Sequence, residues 1–529
     1  MSGIGRASAL LASGTVVSRI LGFVKAVVIA EAIGVVGSTS GDAYAVSTIV
    51  PNSIYAIIGG GLLSAILVPQ IVRASAAPDG GNAYISKLVT LGLTGFALIA
   101  AAATLAAPLL VSLYSSNRLD IGLATAFAFW SLPQVFFLGM YALLGEVLNA
   151  RRAFGPFTWA PVANNVVGIA AILLFVAIFG SDQHRTGADW SPAMIALFAG
   201  GGTLGIAAQA LLLVLFWRRV GLRYRPDFRW RGVGLGTAGK AAGWTFAMLV
   251  ASQLAGLVQT NVASLASGQG ASVLTLNNAW LIFMLPHSVI TVSLVTAFYT
   301  RMSQHAADSN DTGLKSDISV ALRSVALAMV LATAVLMVVA LPFGRVFNPG
   351  FGDVQQMAAV IIAYVLGLVP FCLLFVVQRS FYALADTRTP FLFTTVQIAL
   401  VTGGVLLCAL LPARSIAVGI AAVVSAAGTV QLLLAALLLR RRLGPGAGKG
   451  LGRSLLLDLI AAVPAGAAGW GLLVLLGGTS DGGFAVSGIL PAVASIALIG
   501  AAMSAVYGGA LLLFRSPDLA PLVSRLTRR

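Results

Sequence analysis

Two cations stand where an apolar helix should carry none. The stretch from Ser13 to Val46 reads SGTVVSRILGFVKAVVIAEAIG, then a short Gly/Ser/Thr linker, then GDAYAV, with Arg19 and Lys25 inside a run apolar enough to enter a bilayer. A charge at mid-membrane depth costs about 3 to 15 kcal/mol, so such residues face protein or a water-filled cavity. The helix therefore reads as one wall of a cationic cavity, whose natural occupant is an anionic group. Six residues apart on an ideal helix, the two cations differ by about 240° in direction and about 9 Å in height. Gly22 lies between them and offers a bend that turns both inward; an inward salt bridge is the other reading of the pair. Asp42, which opens the second span, reads either as an outer gate that pairs with Lys25 or as a solvated helix N-cap.

The rest of the chain supplies the membrane setting. Its 529 residues are 59% hydrophobic and 9% charged, with a mean hydropathy of +0.97, whereas a soluble domain carries about 25% charged residues. The class is an all-α polytopic membrane protein. Glycine, at 59 residues, suits close helix contacts in lipid, where no hydrophobic drive packs helices together. Cys372 and Cys408 both lie in apolar runs and read as ordinary core residues.

Apolar windows of about 20 residues recur fourteen times, centred near Leu21, Ile57, Ala100, Phe136, Ile169, Ala207, Val250, Val289, Leu331, Leu368, Leu400, Ala427, Ala465 and Ile499. The loops after even-numbered spans hold most of the cations, among them Arg73, Arg151, Arg152, Arg218, Arg231, Arg301, Lys315, Arg388, Arg440, Lys449, Arg525, Arg528 and Arg529. The odd-numbered loops hold only Arg118, Arg185, Arg345 and Arg414. By the positive-inside rule both termini face the cytoplasm. Topogenic charge and contact with anionic lipid account for the net +16, with no nucleic-acid role.

An internal repeat divides the spans. Pro51 answers Pro286, Pro133 answers Pro370 and Pro156 answers Pro390, at offsets of 235, 237 and 234 residues. The reading is two pseudo-symmetric six-helix lobes, 1–232 and 233–445, followed by two extra helices and a short tail in 446–529. Because six is even, the lobes share one orientation, as in parallel-repeat transporters. The mid-span prolines read as gating kinks or as packing kinks, and Gly59–Gly61 as a hinge or, more safely, a close helix contact.

Other polar residues at membrane depth are Asn52, Tyr55, Gln134, Asn164, Asn165, Lys240, Gln253, Gln259, Asn261, Asn277, Asn278 and His287. Each taken singly reads first as interhelical glue. Enzyme chemistry finds no support: there is no carboxylate pair in an extramembrane loop, no Cys/His cluster at metal-ligand spacing, and only His184, His287 and His305, far apart. The loop GPGAGKG at Gly444–Gly450 lacks the first glycine spacing and the Ser/Thr of a nucleotide-binding loop. Asp386 reads as fixing the turn after span ten, with Arg388 beside it. Glu146 reads as an interfacial partner of Arg151 and Arg152.

LASGTVVSRILGFVKAVVIAEAIG, GDAYAV, LNARRAFGPF, APVANNVVGI and FYALADTRTPF together resemble the MurJ (MviN) family of lipid II flippases, within the multidrug/oligosaccharidyl-lipid/polysaccharide exporter superfamily. The resemblance covers the whole chain. It implies two lobes around a central cavity for the precursor head group, and a groove at spans thirteen and fourteen for the polyprenyl tail. Arg19 and Lys25 fall on the family's two span-one arginines. Ala26 replaces a frequent aspartate, Ser53–Ala56 replaces a basic pair, and Leu281 stands near the family's span-eight arginine, so other polar residues must complete the site.

The expected function is therefore translocation of lipid II to the outer leaflet by alternating access. Arg19, Lys25, Asn52 and Tyr55 would bind the diphosphate, with Asp42 as a gate and Gln253, Asn261, Asn278 and His287 as further cavity candidates. No cofactor or metal is expected; Na+, H+ or the membrane potential supplies the drive. Lipid II or a related polyprenyl-diphosphate glycan, membrane lipids and cell-wall synthesis proteins are the expected partners. The alternatives are an exporter of another polyprenyl-linked glycan or a drug, and a non-transporting scaffold for cell-wall synthesis.

Overall fold

The computed structural model describes residues 3–59, 79, 81–151, 153–217, 224–229 and 235–516, and the side chains of 3–12, 154, 235–242, 244 and 245 lie outside that description. Gly60, Gly61, Arg73, Arg152, Arg218, Arg231, Arg525, Arg528, Arg529 and the Lys240 side chain therefore fall outside it as well. Among the described residues every regular element is helical.

The chain divides into two compact units, Met1–Gly268 and Gln269–Arg529. The first contains α1 (Gly3–Ile33), α2 (Thr39–Gly59), α3 (Asn82–Leu105), α4 (Ala107–Tyr114), α5 (Ile121–Ser131), α6 (Gln134–Ala150), α7 (Phe154–Phe179), α8 (Pro192–Trp217) and α9 (Leu235–Ser264). The second contains α10 (Val273–Pro286), α11 (Val292–Ala307), α12 (Asp311–Val338), α13 (Ala340–Phe347), α14 (Phe351–Val365), α15 (Leu368–Ala383), α16 (Arg388–Cys408), α17 (Ala413–Leu443), α18 (Leu451–Leu475), α19 (Phe484–Ser487) and α20 (Ile489–Leu513). The sequence repeat starts a new lobe at residue 233, yet α9 packs in the first unit, against α2 and α4.

Twelve stretches among the described residues are long and apolar enough to cross a membrane. Helices α1 and α2 are not among them; they carry the polar residues that the sequence analysis singles out, from Arg19 and Lys25 to Asp42, Asn52 and Tyr55. Three of the twelve are single spans interrupted at or beside a proline: α5 and α6 meet at Leu132–Pro133, α14 and α15 at Leu366–Gly367 near Pro370, and α10 and α11 through a π-helical turn at His287–Thr291 after Pro286. Helix α2 runs on through Pro51.

The interruptions free carbonyls, and hydroxyls from neighbouring helices take them up. In the first unit Thr203 Oγ1 of α8 donates to the Trp130 carbonyl at 2.6 Å and accepts from Gln134 Nε2 at 2.9 Å. In the second, Ser425 Oγ of α17 lies 2.7 Å from the Ala363 carbonyl and 3.0 Å from that of Tyr364. Both hydroxyls come from the helix that closes the six-span repeat, so the duplication extends to the way its broken span is repaired. Non-helical backbone is tolerated at membrane depth only under such satisfaction.

Small residues set the tightest contacts. A methyl group on Gly201 would run into Ala171 Cβ, and one on Gly205 would lie 2.7 Å from the Asn164 carbonyl oxygen, so α7 and α8 are in backbone contact. Helices α18 and α20 pair with each other and join the second unit through α12 and α13.

Candidate functional site

Helix α1 lies along α7, and small residues let them approach. A methyl group on Gly14 would come 2.9 Å from Trp159 Nε1. Asn165 of α7 donates from Nδ2 to the Ser18 carbonyl of α1 at 2.9 Å, and Gly22 faces that same amide. Gly22 therefore serves close approach, and α1 is an uninterrupted helix through it.

Lys25 reaches across to α7. A methyl group on Gly168 would stand 2.8 Å from both its Cε and its Nζ, so the ammonium occupies the notch that this glycine leaves. Among the described residues no carboxylate lies within ion-pair distance of Lys25. Arg19 is exposed on α1, which follows from the angular divergence of residues six apart. The helix thus offers one sheltered cation and one open one.

Asp42 is fully buried in the first turn of α2. Around it, Ser38 Oγ accepts from the Gly41 N–H at 3.0 Å. Ser40 Oγ donates to the Arg185 carbonyl at 2.6 Å and accepts from Trp190 Nε1 at 2.8 Å. The Arg185 guanidinium sits 5.4 Å from the ring centroids of both Phe175 and Trp190 and donates to the Phe179 carbonyl at 3.2 Å. Tyr44, Phe127 and Phe198 complete this aromatic knot, with centroids 4.9 to 6.3 Å apart. Asp42 is therefore at a rigid, closed end of the first unit and not at a solvated cap.

The other candidates divide by what they touch. Asn52 is exposed and donates to the Thr48 carbonyl of its own helix at 2.8 Å. Tyr55 is half-buried beside Gly59. Asn261 ties α9 to the end of α4, donating to the Ser115 carbonyl at 2.8 Å, which makes it interhelical glue. Gln253 is half-buried on α9.

In the second unit His287 is buried at the π-helical turn, 3.3 Å from Cys372 Sγ and edge-on to Phe371 and Phe375. Asn278 is buried with no partner for its Nδ2 among the described residues. Leu281 is half-buried on the same helix.

Asp386 holds its turn through Thr389, accepting from the backbone N–H at 3.0 Å and from Oγ1 at 2.7 Å. Burial pushes this carboxyl up, but the Thr389 hydrogen bonds outweigh it and leave its pKa below the usual carboxylate range. Gly168 and Arg185 are contributors that sequence reasoning passed over. A glycine in a glycine-rich span carries no signature, whereas a lone arginine in an otherwise cation-poor loop next to Trp190 is a legible one. No group of His, Cys, Asp and Glu suited to a metal occurs among the described residues.

Comparison with known proteins places this geometry in a family. A family model described as "Lipid II flippase MurJ" matches residues 29–502. The "Lipid II flippase MurJ" of Burkholderia cenocepacia is 27% identical over 395 residues, covering 73% of this chain and 74% of that protein. The "Probable lipid II flippase MurJ" of Rhizobium meliloti is 25% identical over 443 residues, covering 80% and 78%. Among solved structures, "Lipid II flippase MurJ, inward closed conformation" shares the fold with a TM-score of 0.72 at 20% identity, over 95% of this chain and 100% of that one. An inward-facing multidrug resistance MATE family transporter of the MOP superfamily follows at 0.60 and 14% identity, over 80% and 98%. With most of its length matched by that family model, and with helical spans in a duplicated arrangement, this chain belongs to the lipid II flippase MurJ family.

Proposed function

We propose that this chain translocates lipid II from the cytoplasmic to the outer leaflet by alternating access, with Arg19 and Lys25 attracting the diphosphate of the lipid-linked head group. The observation that carries this reading is the Lys25 ammonium, held against Gly168 with no carboxylate within ion-pair distance among the described residues. A sheltered cation with no ion-pair partner among the described residues favours an anionic ligand, and a diphosphate offers charge-assisted acceptors. The exposed Arg19 then serves as the first contact and Lys25 as the deeper one. Asn52 and Tyr55 supply hydrogen bonds from α2. Both termini face the cytoplasm by the distribution of basic residues, and an ion gradient or the membrane potential drives the cycle.

The test is lipid II translocation and viability in a strain depleted of its own flippase, with wild type, Arg19→Ala, Lys25→Ala and Leu281→Arg at matched membrane levels. Rescue by wild type and failure of Arg19→Ala or Lys25→Ala is the expected result. Failure of wild type, or normal rescue by both alanine variants, would overturn the assignment.

A further inference from the structure

The loop Gly444–Gly450 has no part in the proposed transport, yet it is built in an unusual way. Gly446, Gly448 and Gly450 take φ of +120°, +84° and +83°, in the region that favours glycine. The loop folds over the start of α12, where Ser319 Oγ accepts the N–H groups of Gly448 at 2.9 Å and Lys449 at 3.1 Å. Arg323 Nη1 donates to the Lys449 carbonyl at 2.9 Å. Loop and helix together flank an open cavity of about 530 Å³ lined by Lys315, Arg323, Lys449, Thr312, Ser316 and Ser319, with no acidic residue in the lining.

The first unit has a counterpart against which to weigh this. There the segment 224–229 lies over the start of α3, and Ser86 Oγ accepts the Arg225 N–H at 3.3 Å, again flanking an open cavity, of about 640 Å³. Its described lining includes Arg225 and Arg229 but also Asp79 and Asp227, and Asp227 pairs with Arg229 at 3.2 Å. The same latch of serine to loop backbone thus occurs in both halves. Only in the second half does the lining collect cations without acids, and hydroxyls stand among them.

We propose that the cavity between α12 and the Gly444–Gly450 loop binds a phosphate group, as the head group of an anionic phospholipid or as free phosphate. Lys315, Arg323 and Lys449 supply charge, while Thr312 and Ser316 supply hydroxyl donors. The cavity lies where the long apolar helices α12, α17 and α18 end, so a phospholipid head group reaches it with its acyl chains still in the bilayer. It is separate from Arg19 and Lys25, which belong to the other unit, and it does not depend on which glycan is transported.

The test uses the purified full chain in detergent, titrated with phosphatidylglycerol, with phosphatidylcholine, or with inorganic phosphate, and read by native mass spectrometry. The expected result is preferential retention of phosphatidylglycerol over phosphatidylcholine, falling about fivefold for each cation replaced among Lys315→Gln, Arg323→Gln and Lys449→Gln. Binding of inorganic phosphate with the same dependence supports the site with a soluble source instead. Lys449→Gln lies on an exposed loop and keeps the test valid should the other substitutions impair folding. Equal retention of the two lipids together with no phosphate binding, or binding indifferent to all three substitutions, would overturn the proposal.

Discussion

Gly168 decides where the Lys25 ammonium rests. A methyl group there would meet only the far end of a flexible side chain, at 2.8 Å, so Gly168→Ala should cost little stability while expelling the ammonium from its notch. The expected outcome is a melting temperature close to wild type with flippase rescue lowered to about the level of Lys25→Ala; full rescue would separate the notch from function. Asp386 gives a second residue-scale expectation. Its folded pKa is lowered by the Thr389 hydrogen bonds, so its contribution is present above the unfolded value of about 3.9 and is lost as pH falls through the lowered folded value. Thermal melts of wild type and Asp386→Asn should therefore differ by a constant amount at neutral pH and converge below about pH 4. The cations of α1 were legible because charge in an apolar run is rare. The notch was not, because nothing in sequence pairs Gly168 with a residue more than a hundred positions earlier. The sequence reading also set Arg388 beside Asp386; the turn is closed chiefly by the hydroxyl and N–H of Thr389, and Arg388 contributes through its backbone N–H.

At the scale of elements, the broken spans carry the argument. Prolines at matching offsets were readable, and they mark where α5 gives way to α6 and where α14 gives way to α15. The hydroxyls that satisfy the freed carbonyls were not readable, since Ser425 stands 62 residues from Ala363 and a serine in a membrane helix has many uses. Removing the Ser425 donor leaves the Ala363 carbonyl short in a low-dielectric setting, while Tyr364 keeps the Gly367 N–H at 2.9 Å, and hydrogen bonds between membrane helices are worth about 0.6 to 1.7 kcal/mol. Ser425→Ala should lower stability by that amount. Gly367→Ala should cost more, because its methyl group would lie 2.9 Å from Ser425 Cα, a backbone atom that cannot swing aside. Unfolding in mixed micelles, with both variants against wild type, checks the order; equal losses would mean that α17 shifts easily at the break.

For the whole molecule, the distribution of cations makes the sharpest claim. Arg185 is one of the few basic residues in odd-numbered loops, and it is buried with its guanidinium spread over Phe175 and Trp190. Both native cysteines are buried, which leaves a low background for labelling. Ser181, in the loop between α7 and α8, and Asp308, between α11 and α12, are exposed and lie on opposite faces under the proposed orientation. In intact cells a membrane-impermeant maleimide should label Ser181→Cys at once and Asp308→Cys only after the cells are opened. The reverse pattern would invert the molecule and place the amino-terminal end of α1, and Arg19 with it, nearer the outer face. Labelling of both sites in intact cells would instead mean that a span has been miscounted between them, because the three stretches Pro192–Trp217, Phe246–Ser264 and Val273–Ala307 that separate these loops require opposite sides.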